Sequence, residues 1–178
     1  LPEPVPCRIC AKATMDVHGD HALLCGNGGS RQARHDRLRT IIGKAATTAK
    51  IPSSVEPMRL LRNASRRRPG DVTTYGEVFD GSGTNLYVTA YDLTVTARLR
   101  TPILHHAAAS DDYVINAARS QKEWLHRDCG LSSDTHYVPL VWESTGGASE
   151  SVHRLINRWC SRTAKIRSGT TEVSERQG

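Results

Sequence analysis

With 178 residues the chain can build one domain with its own core, or a small domain with a satellite module, but not two full-sized domains. Hydrophobic residues at 38% and charged residues at 24% fit a soluble globular protein and exclude disorder as the default, and no stretch approaches the roughly 18 apolar residues of a membrane span. Lysine and arginine number 24 against 18 acidic residues, and the net charge of +6 suits a polyanionic partner, because cationic side chains gain affinity by releasing phosphate counterions.

The start, Leu1-Pro2-Glu3-Pro4-Val5-Pro6, has no initiator methionine and no basic-then-apolar leader. It reads as the remains of a linker in a longer intracellular polypeptide. Three of the five cysteines fall in the first 25 residues, a pattern that suits metal ligation better than a disulfide framework. Structural zinc takes four ligands tetrahedrally, and Cys7-x2-Cys10 supplies two thiolates from one tight knuckle. Cys7, Cys10, His21 and Cys25 complete a set, with His18 as a competing histidine. His21 is preferred because a helical turn beside Ala22-Leu23-Leu24 places it and Cys25 at i, i+4 on one face. The alternative is three free cysteines and two surface histidines, but so small a segment has too little apolar surface to fold without a staple. A glycine-rich turn at residues 26–29 closes the module, so residues 1–30 form the linker and knuckle.

From Ser30, a candidate cap, to about Lys50, Leu38, Ile41, Ile42, Ala45, Ala46 and Ala49 follow helical spacing behind a basic first half. Ser54 to Leu61 reads as a short strand, confined to an edge by Pro57. An arginine-rich turn leads through Pro69-Gly70 into the β-branched run Asp71–Tyr75, and a second run covers Leu86–Val95, with a turn at Asp80-Gly81-Ser82-Gly83 making a hairpin. Residues 105 to 128 predict one helix ended by Gly130, Tyr137–Trp142 a short apolar strand, and Val152, Leu155, Ile156 and Trp159 a last helix. The order over residues 31–167 is thus helix, three strands, helix, strand, helix, followed by a polar tail, 168–178, predicted to be disordered.

Two acidic residues stand out. Asp71 opens one strand, and Asp92 lies in a row with Leu86, Val88 and Ala90 that would face the core, where a bare carboxylate is costly. On neighbouring strands both can point to one spot, where Mg²⁺ would balance them; the alternative for Asp92 is a buried ion pair with an arginine. Lys122 shares an apolar helix stripe with Ile115, Ala118 and Leu125 and needs an acidic partner there, unless it snorkels at the core edge. Glu143 ends the last strand before a glycine-bearing loop and can join a metal site or merely mark the strand end; Glu56 has the same two readings. Arg34, Arg37, Arg66, Arg67 and Arg68 are candidates for phosphate-backbone contacts; His35 beside Arg34 is another, although a lone histidine on a helix is more often a surface or packing residue.

Arg68-Pro69-Gly70-Asp71-Val72, then Tyr91-Asp92-Leu93-Thr94-Val95, then Lys122 in the next helix, resemble the PD-(D/E)XK nuclease superfamily. There an aspartate on the second strand and an acidic residue on the third hold the metal, and a lysine follows two positions later. Thr94 stands at that position here; in some members the lysine has moved to the following helix, where Lys122 stands. A glycine also separates proline from aspartate. Residues 7 to 147 further resemble the C-terminal restriction-like endonuclease region of site-specific non-LTR retrotransposons, in which a Cys-Cys-His-Cys knuckle precedes the nuclease core. The matching motifs are Cys7-x2-Cys10 through His21 and Cys25, Arg34-His35, Arg68-Pro69-Gly70-Asp71, Asp92–Val95, Lys122, and Val138-Pro139-Leu140 with Glu143.

The resemblance implies an α/β fold with a restriction-endonuclease-like αβββαβ core and structural zinc. It also implies Mg²⁺ or Mn²⁺ at Asp71 and Asp92, with Lys122 and Glu143 as further catalytic residues. The implied activity is a nick in DNA that leaves a 3′-hydroxyl to prime a neighbouring reverse transcriptase, in the nucleus. A non-catalytic nucleic-acid-binding module and an RNA-directed nuclease are the competing readings.

Overall fold

The computed structural model describes residues 3–15, 20–57, 70–76, 88–97, 104–110, 112–127, 131 and 135–169. The chain begins with a small two-stranded ribbon, β1 (Val5–Pro6) against β2 (Thr14–Met15), followed by the short helix α1 (Asp20–Leu24) and a single 3-10 turn at Asn27–Gly29. Gly28 (φ 75°) makes that turn, and a Cβ there would come 2.7 Å from Ile9 Cγ2, so glycine meets both the backbone and the packing demand.

Helix α2 (Ser30–Thr48) follows at once. Its N-cap is Gly29 in the left-handed region, without a side-chain cap bond, so Ser30 is the first helical residue rather than the cap expected from its type. Ile42, Ala46 and Ala49 bury one face as the spacing predicted, while Ile41 is exposed. At the helix end, Arg162 donates from Nε to Ala49 O (2.8 Å) and from Nη2 to Lys50 O (3.3 Å), satisfying carbonyls that a helix terminus leaves open.

Four strands form one mixed sheet in the order β3 (Ser53–Val55), β4 (Val72–Tyr75), β5 (Val88–Thr96), β6 (Thr135–Glu143). The first three are antiparallel and β6 runs parallel to β5. β3 is shorter than the expected run to Leu61: it stops where Glu56 turns left-handed (φ 51°) before Pro57, which has no amide to donate. Positions 58–69, including Arg66, Arg67 and Arg68, the hairpin turn at 80–83, Gly130 and His18 lie outside the described residues. The hairpin pairing itself is present, Val72 opposite Tyr91 and Thr73 opposite Ala90.

Between β5 and β6 the expected single helix is two, α3 (Leu104–Ala109) and α4 (Tyr113–Arg127). The break falls where Ser110 and Asp112 intervene, residue types that compete for backbone groups inside helices and favour helix starts. The Asp112 carbonyl accepts the first α4 bond, from the Asn116 amide at 2.9 Å. Helix α5 (Glu150–Arg167) is the last described element, and of the expected tail only Ser168 and Gly169 are described.

The period-two alternation gives the sheet two unlike faces. Val72, Tyr91, Leu93, Val138 and Leu140 face α2 and α5, where they pack with Ile42, Ala46, Val152, Leu155 and Trp159 into the main core. Tyr91 meets the Trp159 ring edge-on with centroids 5.9 Å apart. The alternate residues, Ala90, Asp92 and Thr94 on β5 with Tyr137 and Val141 on β6, lie on the α4 side. Asp92 is therefore in a thinner layer under a single helix, and not in the main core that its row with Leu86, Val88 and Ala90 had suggested.

Candidate metal centre and acidic cavity

In the knuckle, the ligand atoms of Cys7, Cys10, His21 and Cys25 all lie within 4.8 Å of one another. Cys7 Sγ is 3.9 Å from Cys25 Sγ, and Cys10 Sγ is 3.3 Å from His21 Nε2. Bonds of about 2.3 Å to sulfur and 2.0–2.1 Å to nitrogen around a tetrahedral zinc require edges of roughly 3.8 and 3.6 Å. These two edges lie near those values and no pair exceeds 4.8 Å, so the set could hold a metal and is compatible with zinc, with His21 as its histidine, as the i, i+4 spacing predicted. Local backbone builds it: the Cys7 amide donates to Ala13 O and the Ala11 amide to Cys7 O, both at 2.8 Å, while the Cys25 amide donates to His21 O at 2.7 Å. The Lys12 amide, helped by that of Ala13 and by Cys7 and His21, holds the Cys10 thiol down to about 6, which favours the thiolate a metal needs. Among the described residues no other group of three or more His, Cys, Asp or Glu converges in this way.

The acidic pair is assembled by strand register. Continuing the β4–β5 ladder one step beyond Val72 and Tyr91 puts Asp71 directly opposite Asp92. Asp71 is held on both sides of its backbone: its amide donates to Tyr91 O (2.8 Å) and its carbonyl accepts from the Glu56 amide (2.8 Å). The preceding Gly70 lies flat on β5, where a Cβ would meet the Tyr91 backbone at 2.8 Å from O and 3.0 Å from C. The glycine that separates proline from aspartate thus has a physical reason: no other residue allows the chain this close to its neighbour.

Asp71 is tied by one oxygen, and Asp92 by both, with most of its donors on Oδ2. Asp71 Oδ2 accepts from the Leu93 amide at 2.7 Å and lies 3.2 Å from His35 Nε2. Asp92 Oδ2 accepts from the Tyr137 hydroxyl at 2.6 Å and from Lys122 Nζ at 2.9 Å, with His126 Nε2 at 3.4 Å. Lys122 also reaches Asp92 Oδ1 at 3.1 Å. The His126 and Tyr137 rings stack with centroids 4.0 Å apart and planes 18° apart.

The two carboxyls are pushed in opposite directions. Burial, with the charge of Asp92, raises Asp71 above the usual carboxylate range despite the Leu93 amide and His35. Burial also pushes Asp92 upward, but bonds from His126, Lys122 and Tyr137 and the Lys122 charge outweigh it and hold Asp92 down to about 2. A cavity of about 630 Å³ opens over the pair, walled by α2, β5, α4 and the end of the knuckle; its lining includes Leu23, Gly26, Arg31, Arg34, His35, Thr94, Gln121, Lys122 and Ser144. Thr94, at the position where the superfamily pattern carries lysine, has its hydroxyl buried without a hydrogen-bond partner.

No protein-family model matches the sequence, and no curated protein matches it either. What the cavity can do follows from its own chemistry.

Asp71, Asp92 and Lys122 come together as the sequence pattern predicted, although the partner of Asp92 is a lysine where an arginine was the alternative. Other predicted residues are placed elsewhere. Glu143 is buried and does not line the cavity; it stands four positions beyond Pro139, the residue paired with Asp92, or about 13 Å along the strand. Glu56 forms an ion pair with Arg39, which also holds Asp36 at 3.0 Å. His35 is a partner of Asp71 where a phosphate contact was expected. Arg34 lines the cavity but donates from Nη2 to Leu23 O at 2.9 Å, binding the knuckle to α2. Arg37 is exposed.

His126 and Tyr137 were missed. His126 follows Lys122 at i, i+4, and the α4 face that meets the sheet runs through Ile115, Ala118, Lys122 and His126, with Leu125 left exposed. A stripe drawn with i+4 in place of i+3 at its last step would have found the histidine. Nothing local marks Tyr137, whose role depends on parallel pairing across a crossover.

Proposed function

We propose that this chain is a metal-dependent DNA endonuclease with a restriction-endonuclease-like αβββαβ core and a structural zinc knuckle. The observation that carries this reading is the meeting of Asp71 and Asp92 across paired strands, with Lys122 on Asp92, at the floor of one cavity. Mg²⁺ is the divalent ion of choice because it binds oxygen and commonly uses one or two protein carboxylates beside substrate phosphate and water. When bound, Mg²⁺ or Mn²⁺ supplies Lewis acidity to the scissile phosphate and lowers the pKa of the attacking water.

The chain's own residues do the rest. Asp71 and Asp92 hold the cation, Lys122 directs the attacking water and offsets charge developing on phosphorus, and Arg31 and Arg34 on the cavity wall attract the phosphate backbone. Arg37, which is exposed, is a further candidate for such contacts, as are Arg66, Arg67 and Arg68 by their sequence alone, since they lie outside the described residues. We read the product as a nick with a 3′-hydroxyl that primes a reverse transcriptase in the same longer polypeptide, acting in the nucleus. No helix among the described residues is long and apolar enough to cross a membrane.

One observation favours a second reading, a binding module without catalysis: Lys122, Tyr137 and His126 satisfy Asp92 without any ion. Nicking of supercoiled plasmid in Mg²⁺ separates the two. The endonuclease reading expects wild-type nicking that is lost in Asp71→Ala, Asp92→Ala and Lys122→Ala. Equal nicking by all three variants sinks the site, and DNA binding without cleavage by the wild type favours the module. A structured RNA assayed in parallel tests the RNA-directed alternative.

A further inference from the structure

The pattern of donors around the two aspartates says which of their oxygens a cation can use. A carboxylate oxygen has two lone pairs to offer. At Asp71, Oδ2 is used by the Leu93 amide and His35, while Oδ1 has no hydrogen bond among the described residues and is not among the buried unpartnered atoms. At Asp92, Oδ2 takes the shortest bond in the cavity, 2.6 Å from Tyr137, together with Lys122 at 2.9 Å and His126 at 3.4 Å, while Oδ1 is met by Lys122 alone at 3.1 Å. Asp71 thus leaves Oδ1 to the cavity, whereas at Asp92 the ring donors Tyr137 and His126 gather on Oδ2 and the Lys122 ammonium spans both oxygens.

We propose that Tyr137 and His126 are positioning residues that fasten Asp92 by Oδ2, so that the residue presents Oδ1 to a divalent cation once the Lys122 ammonium yields that place. The inference rests on the metal-dependent reading above. The stacked rings make the fastening rigid. The imidazole lies on α4 and the phenol on β6, two elements packed together, and their planes are 18° apart, so the two rings support each other. Lys122 is different in kind. It is a flexible chain whose ammonium spans both oxygens, sitting where a cation would sit, and is therefore a competitor for the metal as well as a catalytic group. Tyrosine and histidine help the cation; lysine opposes it.

That opposition of sign is the test. Mn²⁺ binding to the zinc-loaded full chain is measured by calorimetry or by the loss of the free-ion paramagnetic resonance signal, without nucleic acid. Tyr137→Phe keeps the ring and its stacking and removes only the hydroxyl. It is expected to weaken Mn²⁺ binding roughly tenfold, the scale on which groups that orient metal ligands act. His126→Gln is expected to weaken it less, and Lys122→Met to tighten it severalfold while nicking is lost. A urea midpoint for each variant separates these effects from unfolding, and His126→Gln carries the test if Tyr137→Phe does not fold. Mn²⁺ affinity within twofold of wild type in both Tyr137→Phe and His126→Gln overturns the positioning roles, weakened binding in Lys122→Met overturns its part as competitor, and either result leaves the metal reading standing. No Mn²⁺ binding by the wild type at millimolar concentration overturns both.

Discussion

The knuckle and the acidic cavity both gather the side chains metals prefer, and they do so in opposite ways. In the knuckle three sulfurs and one nitrogen converge to within 4.8 Å, the number of donors that a closed structural zinc site uses. In the cavity two carboxylates face each other across a strand pair beside about 630 Å³ of space, Asp71 engaged through one oxygen and Asp92 bridged at both by Lys122. The difference follows from chemistry. The knuckle ligands are otherwise held only by a small set of backbone hydrogen bonds, such as Cys7 N–H to Ala13 O and Cys25 N–H to His21 O; the carboxylates stand on a sheet whose other face packs the main core, and need only be kept from the full cost of burial. A closed set suits a structural ion, and an open pair suits one that must also touch substrate.

The largest effect expected is on the closed set. Structural zinc in small modules contributes roughly 10 kcal/mol or more of folding free energy, because no preformed site survives without it. Cys25→Ser, or chelation of the wild type, is therefore expected to release zinc and unfold residues 7–29, read as loss of their amide protection from hydrogen exchange. The cavity is affected too, since Leu23 and Gly26 line it and the Leu23 carbonyl anchors Arg34. Retained protection after zinc removal would show that the knuckle stands on backbone bonds alone.

Next in size are the carboxylates. Asp71→Ala and Asp92→Ala are each expected to reduce Mg²⁺-dependent nicking by more than about 100-fold, exceeding the loss typical of groups that only orient ligands. Neither should release zinc. A variant that loses zinc together with nicking would merge two centres that the geometry keeps apart.

Much of this arrangement was legible from residue types. The Cys-x2-Cys pair with His21 and Cys25 carries its geometry in its spacing, because the ligands are close in sequence and a turn and a helix fix their distances. Asp71 and Asp92 were legible as an oddity, carboxylates in β-branched runs, and register did the remainder. What stayed hidden depends on contacts distant in sequence. Tyr137 reaches Asp92 only because β6 pairs in parallel with β5 after a two-helix crossover. Glu143 looked like a metal ligand by type and position at a strand end, yet the same register carries it about 13 Å past the pair. His35 and Glu56 were read as site candidates in isolation, and both prove to be partners of other charged residues.

A smaller effect comes from pH. Asp92, held to about 2, lies below the roughly 3.9 of an unfolded aspartate, so its contribution to stability is present above about pH 4 and is lost as pH falls through 2. The difference of about two units corresponds to about 2 to 3 kcal/mol. Asp71 has the opposite sign: with its folded value raised, its contribution is present at low pH and lost as pH rises through that value. In urea titrations without added Mg²⁺, the stability gap between wild type and Asp92→Asn should therefore shrink between pH 5 and pH 2, and zinc loss in acid, common to both proteins, cancels in the difference. A gap that does not change with pH would mean that Lys122, His126 and Tyr137 favour the neutral amide as much as the carboxylate.

The smallest change is a single methyl group at Gly70. Its Cβ would come within 2.8 Å of the Tyr91 carbonyl oxygen and 3.1 Å of the Tyr91 nitrogen, backbone atoms that lie in the sheet and cannot turn aside. Overpacking of this kind costs about 1–3 kcal/mol. Relief must come from moving β4 away from β5, and the group that moves first is Asp71, whose amide bond to Tyr91 O and carboxylate bond to the Leu93 amide both cross that seam. Gly70→Ala is thus expected to lower the urea midpoint modestly, to cut nicking by more than the stability loss explains, and to leave zinc content unchanged. If nicking survives with the stability loss alone, the close approach at Gly70 serves the sheet, and the position of Asp71 is set by the Leu93 and Glu56 amides instead.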